Sequence, residues 1–421
     1  MFNLFHRNKL LFENIFSLGT LQFLNYLFPL ITFPYLVRVL GVEKFGLISF
    51  AAAFINYFVI ITDYGFNYTV VRAISINRND KTKLIEIISS VYAAKFILFL
   101  ISALLFGGIL YLFESFSKES ELYIASFIFT FGSLILPSNY FQGIEKTKNI
   151  AVVTFIIRLI WVLGVFSLIK SPDDYILLAY LNSFSWLIIG FILALLMVFK
   201  YRIKLVVPDI SQIIGQFKEG GVLFVSNISI NLYTTSNIFI LGLLTNNTVV
   251  GYFSAADKIR LAVQSLFSPF TQAMYPHLST IFNNDRTRAY RIIIKSLKSI
   301  GLLSFIISAL LLFFSEEIVI LLLGQQYTSS IYVLKIISFL PFIIYMSNLF
   351  GIQTMLNMGL HKAFSVIIST AAFISLISAF MLVPTYKEIG TSITMLLTEV
   401  FVTFSIIIYL LKKGFFLEKE I

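Results

Sequence analysis

The 421-residue chain has no cysteine, only three histidines and few charged residues, and each shortage excludes something. Without cysteine there are no structural disulfides and no thiol chemistry, although this says little about compartment. His6, His277 and His361 are too scattered for a metal site, and no H-E-x-x-H occurs. No G-x-x-x-x-G-K-[ST] is present. The nearest glycine cluster, GQFKEGG at 215–221, lacks the lysine and hydroxyl that hold phosphates and magnesium, which argues against an ATP-driven pump. No cofactor is expected.

Charged residues make up 12% of the chain, against roughly a quarter in soluble domains. With 58% hydrophobic residues and a mean hydropathy of +0.91, the chain cannot cover its surface with polar groups in water; it fits a bilayer. Crossing roughly 30 Å of hydrocarbon takes about 20 mostly apolar residues. Twelve such segments can be marked, near 11–37, 46–70, 85–113, 121–141, 150–169, 174–199, 220–244, 249–276, 292–314, 331–357, 361–383 and 389–411. The first is too long for a signal peptide and lacks a small-residue cleavage site, so it is read as a retained helix. Long continuous apolar runs rather than short alternating ones predict an all-α integral membrane protein with twelve transmembrane helices.

The basic residues orient these spans. Twenty of the 31 lysines and arginines fall at the two ends and in alternate loops, from Arg7 and Lys9 through Arg78–Lys83, Lys146–Lys148, Lys200–Lys218 and Arg286–Lys298 to Lys362 and Lys412–Lys419. The other loops hold only Arg38, Lys44, Lys118, Lys170 and Lys387. This asymmetry predicts both termini in the cytoplasm. The net charge of +10 mostly reflects this bias, so nucleic acid is not an expected partner.

The expected organisation is an N-terminal six-helix lobe at 1–199, a cytoplasmic linker at 200–219 and a C-terminal six-helix lobe at 220–421. Ile210, Ile213, Ile214 and Phe217 recur at helical spacing after Pro208, predicting a short amphipathic helix on the membrane surface within the linker. A weak echo, G-x-x-S-x-A from Gly46 and again from Gly251, hints at two repeated halves. Prolines inside predicted spans (Pro29, Pro34, Pro137, Pro269, Pro276 and Pro341) are candidate kinks.

Polar residues form stripes on three predicted helices: Asn56, Asp63 and Asn67; Asn227, Asn231 and Thr234; Asp257, Arg260, Gln264, Ser268 and Thr271. Such groups face water or one another, either lining a cavity or bonding helix to helix. Lys95, Arg158, Arg260 and Lys335 also sit among apolar neighbours, whereas Asp63, Asp257 and Glu399 are the only acids at comparable depth. The excess of cations predicts a cationic cavity. Asp257 and Arg260 stand at i, i+3 and could instead neutralise each other. Arg72 and Lys258 either line the same path or snorkel to the surface. The loops on the outer side are too short for a catalytic site, so transport fits better than catalysis.

FPYLVRVLGVEKFG (33–46), DYGFNYTVVRAIS (63–75), FQGIEKTK (141–148), VGYFSAADKI (250–259) and LLLGQQYTSS (321–330) together resemble the polysaccharide-transport branch of the multidrug/oligosaccharidyl-lipid/polysaccharide exporter superfamily, and within it the Wzx-type O-antigen flippases. The resemblance implies two helical lobes around a central cavity that opens alternately to each side of the cell inner membrane. The implied cargo is an undecaprenyl-pyrophosphate-linked oligosaccharide, with membrane lipid, an O-antigen polymerase and a chain-length regulator as candidate partners. Arg158, Lys95, Arg260, Lys335, Arg72 and Lys258 would then meet the pyrophosphate, with Asn227, Asn231 and Gln264 exchanging hydrogen bonds with sugar hydroxyls. Asp63, Asp257 and Glu399 are either ion-coupling residues or salt-bridge partners. Arg38, at the outer end of the first span, either completes the helix dipole or gates the exit. The alternatives are a lipid II flippase or ion-coupled drug antiporter of the same superfamily, or, in a different class, an O-antigen polymerase or ligase. A cationic cavity opposes a cationic-drug antiporter, and the longest outer loops, near 114–120 and 315–330, carry no arginine, which opposes a polymerase.

Overall fold

The computed structural model describes the backbone of residues 2–415. It describes the side chains there except at 2–27 and at scattered positions among 68, 222–234 and 273–284. Every regular element among the described residues is helical. Among the described residues, eight helical stretches are long and apolar enough to cross a membrane. Their outward faces carry large apolar side chains such as Leu104, Leu163, Phe373 and Met381, each more than 60% exposed, as lipid contact requires.

Short polar side chains start several helices. Asp80 accepts from the Lys83 amide at 3.1 Å to open Lys81–Leu112, Asn246 from Val249 at 3.0 Å to open Asn247–Ser265, and Asp285 from Arg288 at 2.8 Å to open Arg286–Ser296. Each satisfies one of the amides that a helix start leaves without a partner.

The breaks fall where backbone chemistry allows them. The run Phe2–Asp63 is interrupted at Gly41, whose φ of 72° suits glycine, and the run His361–Lys412 at Lys387, with φ 50°. Three of the prolines expected as mid-span kinks instead mark helix starts, where their missing N–H costs nothing. Pro137 precedes Ser138–Gly143, and Pro269 and Pro341 lie in the first turns of Ser268–Asn284 and Leu340–Ser347. Pro276 lies outside the described side chains.

Three sequence expectations need correction. The helix expected over 46–70 stops at Asp63, and Tyr64 and Gly65, at φ 44° and 78°, turn the chain into Phe66–Ile76. Asn67 therefore does not continue the stripe of Asn56 and Asp63. The stripe expected along 249–276 is likewise divided: Asp257, Arg260 and Gln264 lie on Asn247–Ser265, Ser268 and Thr271 on the next helix. Nor is the amphipathic segment at 210–217 a separate surface helix. Nothing interrupts it, and it runs on as Ile210–Thr234, with Ile213 and Phe217 packed on a core and Ile210 and Ile214 exposed.

The chain forms two compact units. One takes residues through Leu40 together with Ala51–Ile228; the other takes Gly41–Phe50 together with Ser229 onward. The first is built on Phe66, Val70, Ile88, Tyr140, Phe141 and Ile189. The second is built on Tyr290, Ile293, Leu349, Phe350, Ala371 and Ile406. Within the second unit two glycines bring helices into backbone contact. A Cβ on Gly46 would lie 1.8 Å from the Asn247 carbonyl oxygen, and one on Gly251 2.1 Å from that of Val42.

Candidate functional site

In the first unit the turn at Tyr64–Gly65 sets Asp63 at the end of one helix and Asn67 and Arg72 on the next. Asp63 accepts a hydrogen bond from Lys95 Nζ, 32 residues away on Lys81–Leu112, at 2.6 Å. Lys95 is 5% exposed, so its charge is buried but matched. It borders a small apolar cavity together with Tyr92, Leu134, Pro137, Asn139 and Tyr140.

Asn139 also borders a second, larger pocket of about 490 Å³, open to solvent and lined by Asn67, Val71, Arg72, Ser138, Asn139 and Gln142. Its walls are Phe66–Ile76 and Ser138–Gly143, which pack closely. A Cβ on Gly143 would lie 2.4 Å from Ile74 Cγ2, and Ser75 Oγ donates to the Gly143 carbonyl at 3.2 Å. Ser138 Oγ donates to Asn139 Oδ1 at 3.3 Å. The lining offers a guanidinium, three amides and a hydroxyl, and no carboxylate. Arg72 and Gln142 are exposed within it.

Arg158 is held differently. It lies midway along Thr147–Leu168 with its guanidinium carbon 5.5 Å from the Trp161 ring centre and 5.1 Å from that of Trp186. These are the only two tryptophans in the chain. The rings supply cation–π attraction. No carboxylate of the described residues pairs with Arg158, in contrast to Lys95 and Arg260. Trp161 is itself buried, and its indole N–H has no hydrogen-bond partner among the described residues. A cation at mid-span without a counter-ion is costly in hydrocarbon, so the arrangement is one that an anion would complete.

The second unit holds a compact ionic cluster. Arg260 Nε donates to Asp257 Oδ1 at 2.6 Å, and its Nη1 donates to Gln264 Oε1. Arg260 is 3% exposed, and its charge also acts on buried Glu399 of His361–Lys412. The i, i+3 neutralisation open in the sequence is the arrangement found. One cation faces two carboxyl groups here, so the expected excess of positive charge does not hold at this cluster.

The other candidates take no part in the contacts just described. Lys335 is exposed near the end of Ser329–Ile337 with its ammonium 6.0 Å from the Tyr332 ring, and Lys258 is exposed on Asn247–Ser265. Arg38 is exposed one turn before the break at Gly41. Asn231 Oδ1 accepts from Thr235 Oγ1 at 3.3 Å, beside a helix break. The side chain of Asn227 lies outside the described residues.

Sequence reasoning passed over Ser138 and Asn139 because hydropathy merges them into the preceding span, and over Gln142 because it falls just past that span's end. Pro137 was the available signal. It also passed over Trp161 and Trp186, whose rarity in a chain with 46 phenylalanines could have marked them.

The fold, with its charges set among apolar helices, is that of a multi-pass helical membrane protein. The match to known proteins agrees. Residues 11–282 fit the family described as polysaccharide biosynthesis protein. The chain is 36% identical over 398 residues to a protein named as an O-antigen transporter in Escherichia coli (strain K12), covering 94% of this chain and 96% of that one. It is 31% identical over 404 residues to a protein of the same name in Shigella dysenteriae, covering 95% and 99%. Among solved structures, the lipid II flippase MurJ in an inward closed conformation superposes with a TM-score of 0.74 at 13% identity, over 96% of this chain and 89% of that one. The chain belongs to the polysaccharide biosynthesis protein family.

Proposed function

We propose that this protein is a flippase that carries undecaprenyl-pyrophosphate-linked O-antigen repeat units from the cytoplasmic to the periplasmic leaflet of the inner membrane by alternating access. The observation that carries this reading is the 36% identity along 94% of the chain to a protein named as an O-antigen transporter. Arg158 supports it physically: a mid-span guanidinium without a carboxylate partner has donors to offer a pyrophosphate, in the planar fork that phosphate recognition favours. In this reading twelve spans form two six-helix lobes, both termini are cytoplasmic, and a polymerase and a chain-length regulator receive the cargo. Asp63, Asp257 and Glu399 act first as counter-charges to Lys95 and Arg260, since two of the three are bonded to those cations.

Deletion of the gene tests the reading. Surface O-antigen should disappear while lipid-linked repeat units accumulate on the cytoplasmic side. Normal surface polysaccharide in the deletion strain would refute it, and accumulation of lipid II instead would favour a lipid II flippase.

A further inference from the structure

We propose that the pocket between Phe66–Ile76 and Ser138–Gly143 is a docking site for a phosphate-linked sugar on the cytoplasmic side, engaged before translocation. The inference rests on the flippase reading and adds to it a place for the head group, separate from Arg158.

Four observations converge on it. The lining is polar and carries no carboxylate: Arg72 supplies a charged planar donor, Asn67, Asn139 and Gln142 supply amides that both donate and accept, and Ser138 adds a hydroxyl. That set suits a phosphate beside sugar hydroxyls better than either a cation or an apolar group. The space, about 490 Å³, lies in the range of roughly 300–1,000 Å³ typical of small-molecule sites.

The walls are fixed before any ligand arrives. Gly143 admits Ile74 at a distance no other residue would allow, and Ile74, Tyr140 and Phe141 belong to the core of this unit. A pocket built on packed helices loses little freedom on binding. Finally, both walls run directly into basic connections, the first into Arg78–Lys83 and the second into Lys146–Lys148, which the charge asymmetry assigns to the cytoplasm. Two separate stretches of the family pattern, 63–75 and 141–148, thus meet at one opening.

The test uses the full chain in lipid nanodiscs and follows binding by isothermal titration calorimetry with three probes: glucose 1-phosphate, glycerol 1-phosphate as a stand-in for bulk lipid headgroups, and inorganic phosphate. Glucose 1-phosphate should bind at least ~10-fold more tightly than the other two, the gain expected from one or two added hydrogen bonds to the sugar. Arg72→Ala should weaken binding of all phosphates, Gln142→Ala only that of the sugar phosphate, and Arg72→Lys should recover part of the loss. Both side chains are exposed, so the variants should fold as the parent does. Equal binding of the three probes, absence of binding, or variants that bind like the parent would overturn the proposal. Any of these with the deletion phenotype intact would leave the flippase reading standing.

Discussion

Replacing Asp63 by Asn removes one partner of a buried pair and isolates its consequence. The carboxylate lies 2.6 Å from Lys95 Nζ, with the two side chains 22% and 6% exposed. Neither is well solvated, so the ammonium left behind has lost its counter-charge in a site lined largely by apolar groups. Breaking such a pair from one side costs about 3–5 kcal/mol, whereas exposed pairs contribute about 0–1 kcal/mol. Replacing both members by apolar residues of similar size, Asp63→Leu with Lys95→Met, should recover most of the loss, because no buried charge is stranded. Unfolding in mixed micelles reads the stability, and restoration of surface polysaccharide in a deletion strain reads transport. A double variant that is stable yet inactive would give the pair a part in transport, and one that is both stable and active would make it a strut. A loss below about 1 kcal/mol for Asp63→Asn would refute the reasoning, since it would mean that water reaches Lys95 as freely as at a surface.

Gly251→Ala should sharply reduce the yield of monodisperse protein by size-exclusion chromatography, because its Cβ would meet the Val42 carbonyl oxygen at 2.1 Å. Gly107→Ala and Gly108→Ala, with nothing within 4 Å of the added carbon, should be neutral or gain up to ~1 kcal/mol from helix propensity; a like yield for all three variants would refute the close crossing. Arg158→Ala should abolish complementation and Arg158→Lys retain part of it, since lysine keeps the charge but not the planar face held between Trp161 and Trp186. Full activity in Arg158→Ala, scored by surface polysaccharide on gels, would remove Arg158 from the transport path.

Much of the architecture was legible because hydropathy integrates over about 20 residues and a bilayer demands that length. The same averaging hides short interruptions. Tyr64–Gly65 and Leu266–Phe267 are two-residue breaks inside apolar stretches, and each moved polar residues off the face where a straight helix would have placed them. Charge pairing was legible where it was local: Asp257 and Arg260 are one turn apart, and periodicity alone brings them together. Asp63 and Lys95 are on different helices, so no spacing rule could join them, and counting both as cavity charges overstated the free positive charge. The polar pocket was hidden for a related reason, being assembled from the ends of two elements that are far apart in sequence.

The shared G-x-x-S-x-A of residues 46–51 and 251–256 illustrates how one pattern admits two causes. As a sequence signal it pointed to two duplicated halves. In the structure Gly46 and Gly251 meet across a single helix crossing inside the second unit, so each must be glycine for the other's sake. Ala51 and Ala256 are both fully buried, Ser254 is 1% exposed, and Ser49 bonds back to the Phe45 carbonyl at 2.8 Å, so small side chains suit all the shared positions. Close packing selects such residues whether or not the segments share an ancestor. The echo therefore carries no independent weight for duplication, and the division into two units rests on contacts alone. Those contacts place Gly41–Phe50 with residues that lie some two hundred positions later, and the glycine crossing is the physical reason they do.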